Sequence, residues 1–75
     1  MILVLERFIE MITERGLSFH QYENTRSDYR VDHLIDVSKD GRKLATYNTD
    51  FLHRFGEGDM ARELDKHLAT GQGNA

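Results

Sequence analysis

The chain has 75 residues, with no proline, cysteine or tryptophan, which bounds it to one small domain because a domain usually needs on the order of 100 residues. Apolar residues at 39% and charged residues at 31% fit a folded chain, and the lack of cysteine excludes a disulfide scaffold, a thiolate nucleophile and any zinc site built on sulfur. A formal charge of -3 disfavours non-specific attraction to phosphate backbones.

Met1 to Leu5 opens the chain as an apolar run, but Glu6 interrupts it. The run is too short for a signal peptide or for a membrane span of roughly 20 residues, and a cytoplasmic protein is expected. From Met1 to Arg15 the apolar set Met1, Leu5, Phe8, Ile9 and Ile12 recurs at helical spacing against Glu6, Arg7, Glu10, Thr13 and Glu14, so an amphipathic helix is predicted. Gly16 can take the left-handed conformation that stops it, with Leu17 folding back onto Ile12 in a Schellman cap. Leu17 to Glu23 reads as a strand and Asn24 to Asp28 as a polar loop.

Tyr29, Val31, His33, Ile35 and Val37 then alternate with Arg30, Asp32, Leu34, Asp36 and Ser38, which places the first set on a buried strand face. Asp40-Gly41 supplies a two-residue type I′ hairpin turn. An uninterrupted register sets Lys39 opposite Arg42, Val37 opposite Leu44 and Ile35 opposite Thr46 on the buried side. On the other side Asp36 then faces Ala45 and Leu34 faces Tyr47.

Asn48 or Thr49 can cap a short helical turn carrying Phe51, Leu52 and Phe55, with Gly56-Glu57-Gly58 as a flexible joint. Asp59 is the expected N-cap of a last helix lined by Met60, Ala61, Leu64 and Leu68 and stopped at Gly71. The predicted fold is α+β: helix, three-stranded antiparallel meander, helix, with both helices on one face of the sheet. Residues 1–70 form the single domain and residues 71–75 a disordered tail. The expected core is Phe8, Ile9, Ile12, Phe19, Ile35, Val37, Leu44, Phe51, Phe55, Leu64 and Leu68. Such a core leaves a net stability of only about 3 to 5 kcal/mol, and the apolar start of the first helix is expected to support a homodimer through that helix.

No arrangement of residues points to catalysis. His20, His33, His53 and His67 form no i, i+2 or i, i+4 pair; Ser18, Ser27 and Ser38 lack a nucleophile elbow, and no glycine-rich phosphate loop precedes a helix. No cofactor or metal is expected, and the protein is read as a non-enzyme. A small metal-dependent hydrolase built on His33 with Asp32 or Asp36 is the least favoured alternative.

Two surfaces remain. Arg26, Arg30, Lys39, Arg42 and Lys43, with tyrosines nearby, form a candidate nucleic-acid surface. The element order resembles that of the double-stranded RNA-binding domain, which carries a lysine-rich start on its final helix; here Asp59, Met60, Ala61, Arg62 and Glu63 stand in that place. The favoured surface is the sheet face opposite the helices, where Leu34 and Tyr47, joined by Tyr22 and His20, form an aromatic patch rimmed by Arg30, Asp32, Asp36 and Lys43, the make-up of a protein contact. The expected function is a small protein-binding regulator, inhibitor or adaptor, of the kind phages and plasmids also carry, with another protein as the most favoured partner and nucleic acid as the alternative.

Overall fold

A computed structural model describes residues 2–73 of the chain. The elements follow the expected order: α1 (Leu5–Glu14), β1 (Ser18–Thr25), β2 (Val31–Lys39), β3 (Arg42–Asn48), a 3₁₀ segment (Thr49–Arg54) and α2 (Glu57–Gly73). The strands form one antiparallel sheet in the order β1-β2-β3. Phe8, Met11 and Ile12 of α1 and Met60 and Leu64 of α2 join Ile35 and Val37 of β2 in one core, so both helices lie over the same face of the sheet.

The first helix starts later than its pattern suggests. Ile2 to Val4 are extended: Ile2 bridges Gly56, and the Leu3 N–H donates to the Phe55 carbonyl at 3.2 Å. Alternation along this arm buries Leu3 and leaves Ile2 and Val4 exposed. The apolar start therefore does not widen α1 into a dimer surface, and the homodimer through the N-terminal helix loses its premise. Met1 lies outside the described residues. The other end of α1 is as the sequence implies. Gly16 has φ +70°, its N–H donates to the Thr13 carbonyl at 3.0 Å, and the Leu17 N–H reaches the Ile12 carbonyl at 3.0 Å. Those two bonds make a Schellman cap, with Leu17 and Ile12 both buried.

The turns differ in how comfortably they are built. Asp40 (φ +51°) and Gly41 (φ +81°) form the expected hairpin turn. Between β1 and β2, the Arg26 N–H donates to the Arg30 carbonyl at 2.7 Å and the Tyr29 N–H to the Arg26 carbonyl at 3.0 Å. This closure needs a left-handed residue, and Tyr29 takes it at φ +66° although glycine is the residue that does so without strain.

The register of β2 with β3 departs from the uninterrupted one at a single point. Lys39 faces Arg42 and Ser38 faces Lys43, but Val37 faces Ala45, Asp36 faces Thr46, Ile35 faces Tyr47 and Leu34 faces Asn48. Leu44 is the extra residue of a β-bulge, and every later residue of β3 turns to the opposite face from the one expected. Tyr47 thus belongs to the helix-covered face. Its ring meets Phe8 edge-on at 5.5 Å between centroids and Phe55 at 6.3 Å.

The core is correspondingly different in membership. Leu3, Met11, Leu17, Leu52 and Met60 are buried beyond the expected set, while Phe19 and Phe51 are 39% and 42% exposed. Phe51 lies instead under the Arg54 guanidinium, 4.4 Å from its ring centroid. Helix cover also ends partway along β2: Ile35 and Val37 are buried, but Val31, His33 and Tyr29 on the same alternating set are exposed. The far end of the β1–β2 ribbon projects beyond the helices.

The second half follows the sequence more closely at its start than at its end. Asn48 Oδ1 accepts from the Asp50 N–H at 2.9 Å, capping the 3₁₀ segment. The expected glycine joint is absent, because Gly56 is held by Ile2 and α2 already begins at Glu57, ahead of Asp59. Arg7 of α1 ties that start down by donating to Glu57 at 2.7 Å and to Glu14 at 2.9 Å. Hydrogen bonding to Glu57 above all holds the Arg7 guanidinium well above its ordinary pKa. Arg15 makes a second link between the helices, to Asp65 at 3.0 Å. Helix α2 runs through Gly71 to Gly73, so Gly71 does not stop it; residues 74–75 of the expected tail lie outside the described residues.

Candidate functional site

The face of the sheet away from the helices is built by the even-numbered residues of β1 and β2 and, in β3, by Lys43 before the bulge and Thr46 and Asn48 after it. At its centre Tyr22 lies directly opposite Leu34. The His20 ring stacks on the Tyr22 ring, with centroids 5.6 Å apart and planes 18° apart. Residues two apart on one strand share a face, which is why these rings meet.

A polar cluster adjoins this strip and fixes it. Asp36 Oδ1 accepts from the Tyr22 hydroxyl at 3.1 Å and from Thr46 Oγ1 at 2.5 Å. The Thr46 bond is the main reason that the Asp36 carboxyl is held below its ordinary pKa; burial opposes it as the next influence in size, and the Tyr22 hydroxyl, Lys43 and His20 follow in the lowering direction. Tyr22 is shifted the other way, its phenol raised by burial and then by the bond to Asp36. The aromatic side chain is therefore anchored at its hydroxyl while its ring stays in the face, which limits the rotamer freedom lost if a partner covers it.

Of the expected contact residues, Tyr22, Leu34 and Arg30 share this face by alternation, and Tyr47 does not. The correction follows from the bulge: Leu34 faces Asn48, and Tyr47 sits under the helices. Arg30 is at the projecting end, its Nε 3.5 Å from Asp28. His20 and Asp36 are on this face as expected, and Thr46, opposite Asp36, stands on it where Tyr47 was expected. The signal for this lay in Leu44-Ala45, two adjacent apolar residues that break the alternation where a bulge can absorb them.

The five basic residues do not form one surface. Arg26 and Arg30 flank the β1–β2 turn, and Lys39, Arg42 and Lys43 lie at the β2–β3 turn, at the other end of β2. At about 3.3 Å per residue these ends are roughly 30 Å apart. Arg26 is also engaged, donating to both carboxylate oxygens of Asp32 at 2.7 and 2.9 Å, a fork geometry that occupies the guanidinium edge a phosphate would use.

His33 does not converge with Asp32 or Asp36. It projects from the helix side of the sheet and they from the open side, as neighbours in a strand must. His33 instead adjoins an open depression of about 400 Å³, lined with Leu5, Gln21, Glu23, Thr49 and Asp50 among others. Among the described residues no three His, Asp or Glu side chains come together as a metal site, and no helix is long and apolar enough to cross a membrane. No family model, curated protein or solved structure matches the chain.

Proposed function

We propose that this protein is a small binding module that docks another protein on the uncovered face of its sheet, through Tyr22 and Leu34 with His20 beside them. The observation that carries this reading is the Tyr22–Leu34 cross-strand pair, which stands on the face no helix covers and is held in place by Asp36 and Thr46. An aromatic and an aliphatic side chain fixed by neighbouring polar groups is the composition of an interface centre, where tyrosine is enriched and long flexible charges are depleted. Asp36, Thr46 and the Arg26–Asp32 pair form a border whose polar groups are already satisfied within the domain, so covering the centre does not strand them. Regulation, inhibition or adaptation is the role that such a binding module fills.

The test is capture of binding proteins from the native host with the full chain, followed by titration of the captured protein against wild type, Leu34→Ser and Phe51→Ser. Loss of affinity in Leu34→Ser alone, with unchanged far-ultraviolet circular dichroism, is the expected outcome. Equal binding by wild type and Leu34→Ser contradicts the reading. Binding through Tyr22 and Leu34 also changes little with salt, whereas a phosphate-mediated complex weakens steeply.

A further inference from the structure

We infer that β1 pairs edge to edge with β1 of a second copy of this chain, joining the two sheets into one. The hydrogen-bond phase of the β1–β2 ladder identifies which groups of β1 are available. Arg26 and Arg30 continue the register Thr25↔Val31 and Asn24↔Asp32, and the Arg26 N–H bonds the Arg30 carbonyl. Bonded and non-bonded pairs alternate in an antiparallel ladder. Asn24, Tyr22 and His20 therefore direct their backbone groups at β2, while Phe19, Gln21, Glu23 and Thr25 direct theirs outward. Among the described residues β2 is the strand that pairs with β1, so this outward row faces no strand.

The two edges of the sheet are unlike. An exposed edge is ordinarily guarded by lysine, proline, a bulge or a short strand. The β3 edge has Arg42, Lys43 and the bulge at Leu44. β1 spans Ser18–Thr25 with a continuous register and no lysine, arginine or proline; Glu23 is its one acidic residue. Its pattern is also self-complementary. Antiparallel pairing about a two-fold axis at Tyr22 sets Phe19 against Thr25 of the second copy and Gln21 against Glu23 of the second copy. Every outward residue then meets an outward residue, Glu23 does not directly face Glu23, and the partly exposed Phe19 gains a neighbour. On the open face Tyr22 meets Tyr22 of the second copy, so the two Tyr22–Leu34 strips become one. This inference stands apart from the docking of another protein, since it concerns the edge of the sheet and is read by mass rather than by partner capture.

The experiment is sedimentation velocity on the full chain from micromolar to millimolar concentration, together with residue-resolved amide exchange at both extremes. The expected result is a rise from 8.7 kDa to twice that mass, with the Phe19, Gln21, Glu23 and Thr25 amides becoming protected as the dimer forms. Gln21→Pro removes an outward N–H without touching the bonds to β2 and is expected to weaken the dimer on the order of tenfold or more. A monomer throughout the range overturns the inference. So does a dimer in which those four amides exchange as fast as in the monomer, whatever Gln21→Pro does.

Discussion

Tyr47 presses its ring edge-on against Phe8, yet its hydroxyl, shut away from solvent, has no hydrogen-bond partner among the described residues. The ring contributes packing, while the hydroxyl carries an uncompensated desolvation cost. Tyr47→Phe is expected to raise stability by about 1 kcal/mol, measured by urea unfolding. Burial pushes the Tyr47 phenol up to about 12. A raised pKa favours the neutral form in the folded state, so its contribution is complete below the ordinary phenol value and is lost as pH climbs from about 10 toward about 12. Wild type should lose stability across that window, and Tyr47→Phe should lose less.

The bulge at Leu44 decides which residues of β3 face the core. Deleting Leu44 takes out the extra residue and gives an unbroken register in which Val37 still faces Ala45, Asp36 still faces Thr46 and Ile35 still faces Tyr47, so Tyr47 keeps its place in the core. The loss is confined to the Leu44 side chain, which packs against the core while only partly buried, so the cost should lie below that of truncating a fully buried leucine, about 2 to 5 kcal/mol. The deletion variant should stay folded at 25 °C, with a well-dispersed amide proton spectrum and a lowered unfolding midpoint. A collapsed spectrum would show that the bulge itself is required for the fold.

Asp36 provides a second pH reading, on the open face. Removing the Thr46 hydroxyl with Thr46→Val takes away the strongest influence holding the Asp36 carboxyl low, so its pKa should move up toward the ordinary carboxylate value in a carbon-detected titration. The sign for stability is the reverse of the Tyr47 case. A lowered carboxylate pKa stabilises the fold above the unfolded value and is lost as pH falls through the folded one. Acid unfolding of wild type should therefore show a steeper dependence than that of Thr46→Val.

Tyr29 holds a left-handed conformation at φ +66° while 89% of it is exposed. Little packing offsets the backbone strain, and glycine adopts this conformation freely. Tyr29→Gly should stabilise the domain by about 1 kcal/mol, raising the melting temperature by roughly 4 to 8 °C. A destabilised variant would mean that the exposed ring makes a contact important to the fold.

Much of the fold was legible because local signals agreed. Gly16 and Leu17 wrote the end of α1, Asp40-Gly41 wrote the hairpin, and Asn48 wrote the cap of the 3₁₀ segment. The site is legible in the sequence only up to the bulge: alternation puts Tyr22 and Leu34, before it in the chain, on the face they occupy, whereas for Tyr47, after it, alternation points to the opposite face from the one it occupies. Period-two reasoning transmits a single inserted residue to everything downstream. The Ile2–Val4 arm was missed for a different reason. A short apolar run satisfies helix and strand patterns alike, and the bond from Leu3 to Phe55, distant in sequence, is what selects the extended form.

The central claim is that Leu34 serves binding and Tyr47 serves the core. It is tested most directly by measuring, for Leu34→Ser and Tyr47→Ser side by side, the unfolding midpoint and the affinity for the captured partner. The expected result is that Leu34→Ser keeps the midpoint and weakens binding at least tenfold, on the order of 1.4 kcal/mol, while Tyr47→Ser loses the fold. Undiminished partner affinity in a folded Leu34→Ser protein would contradict the account.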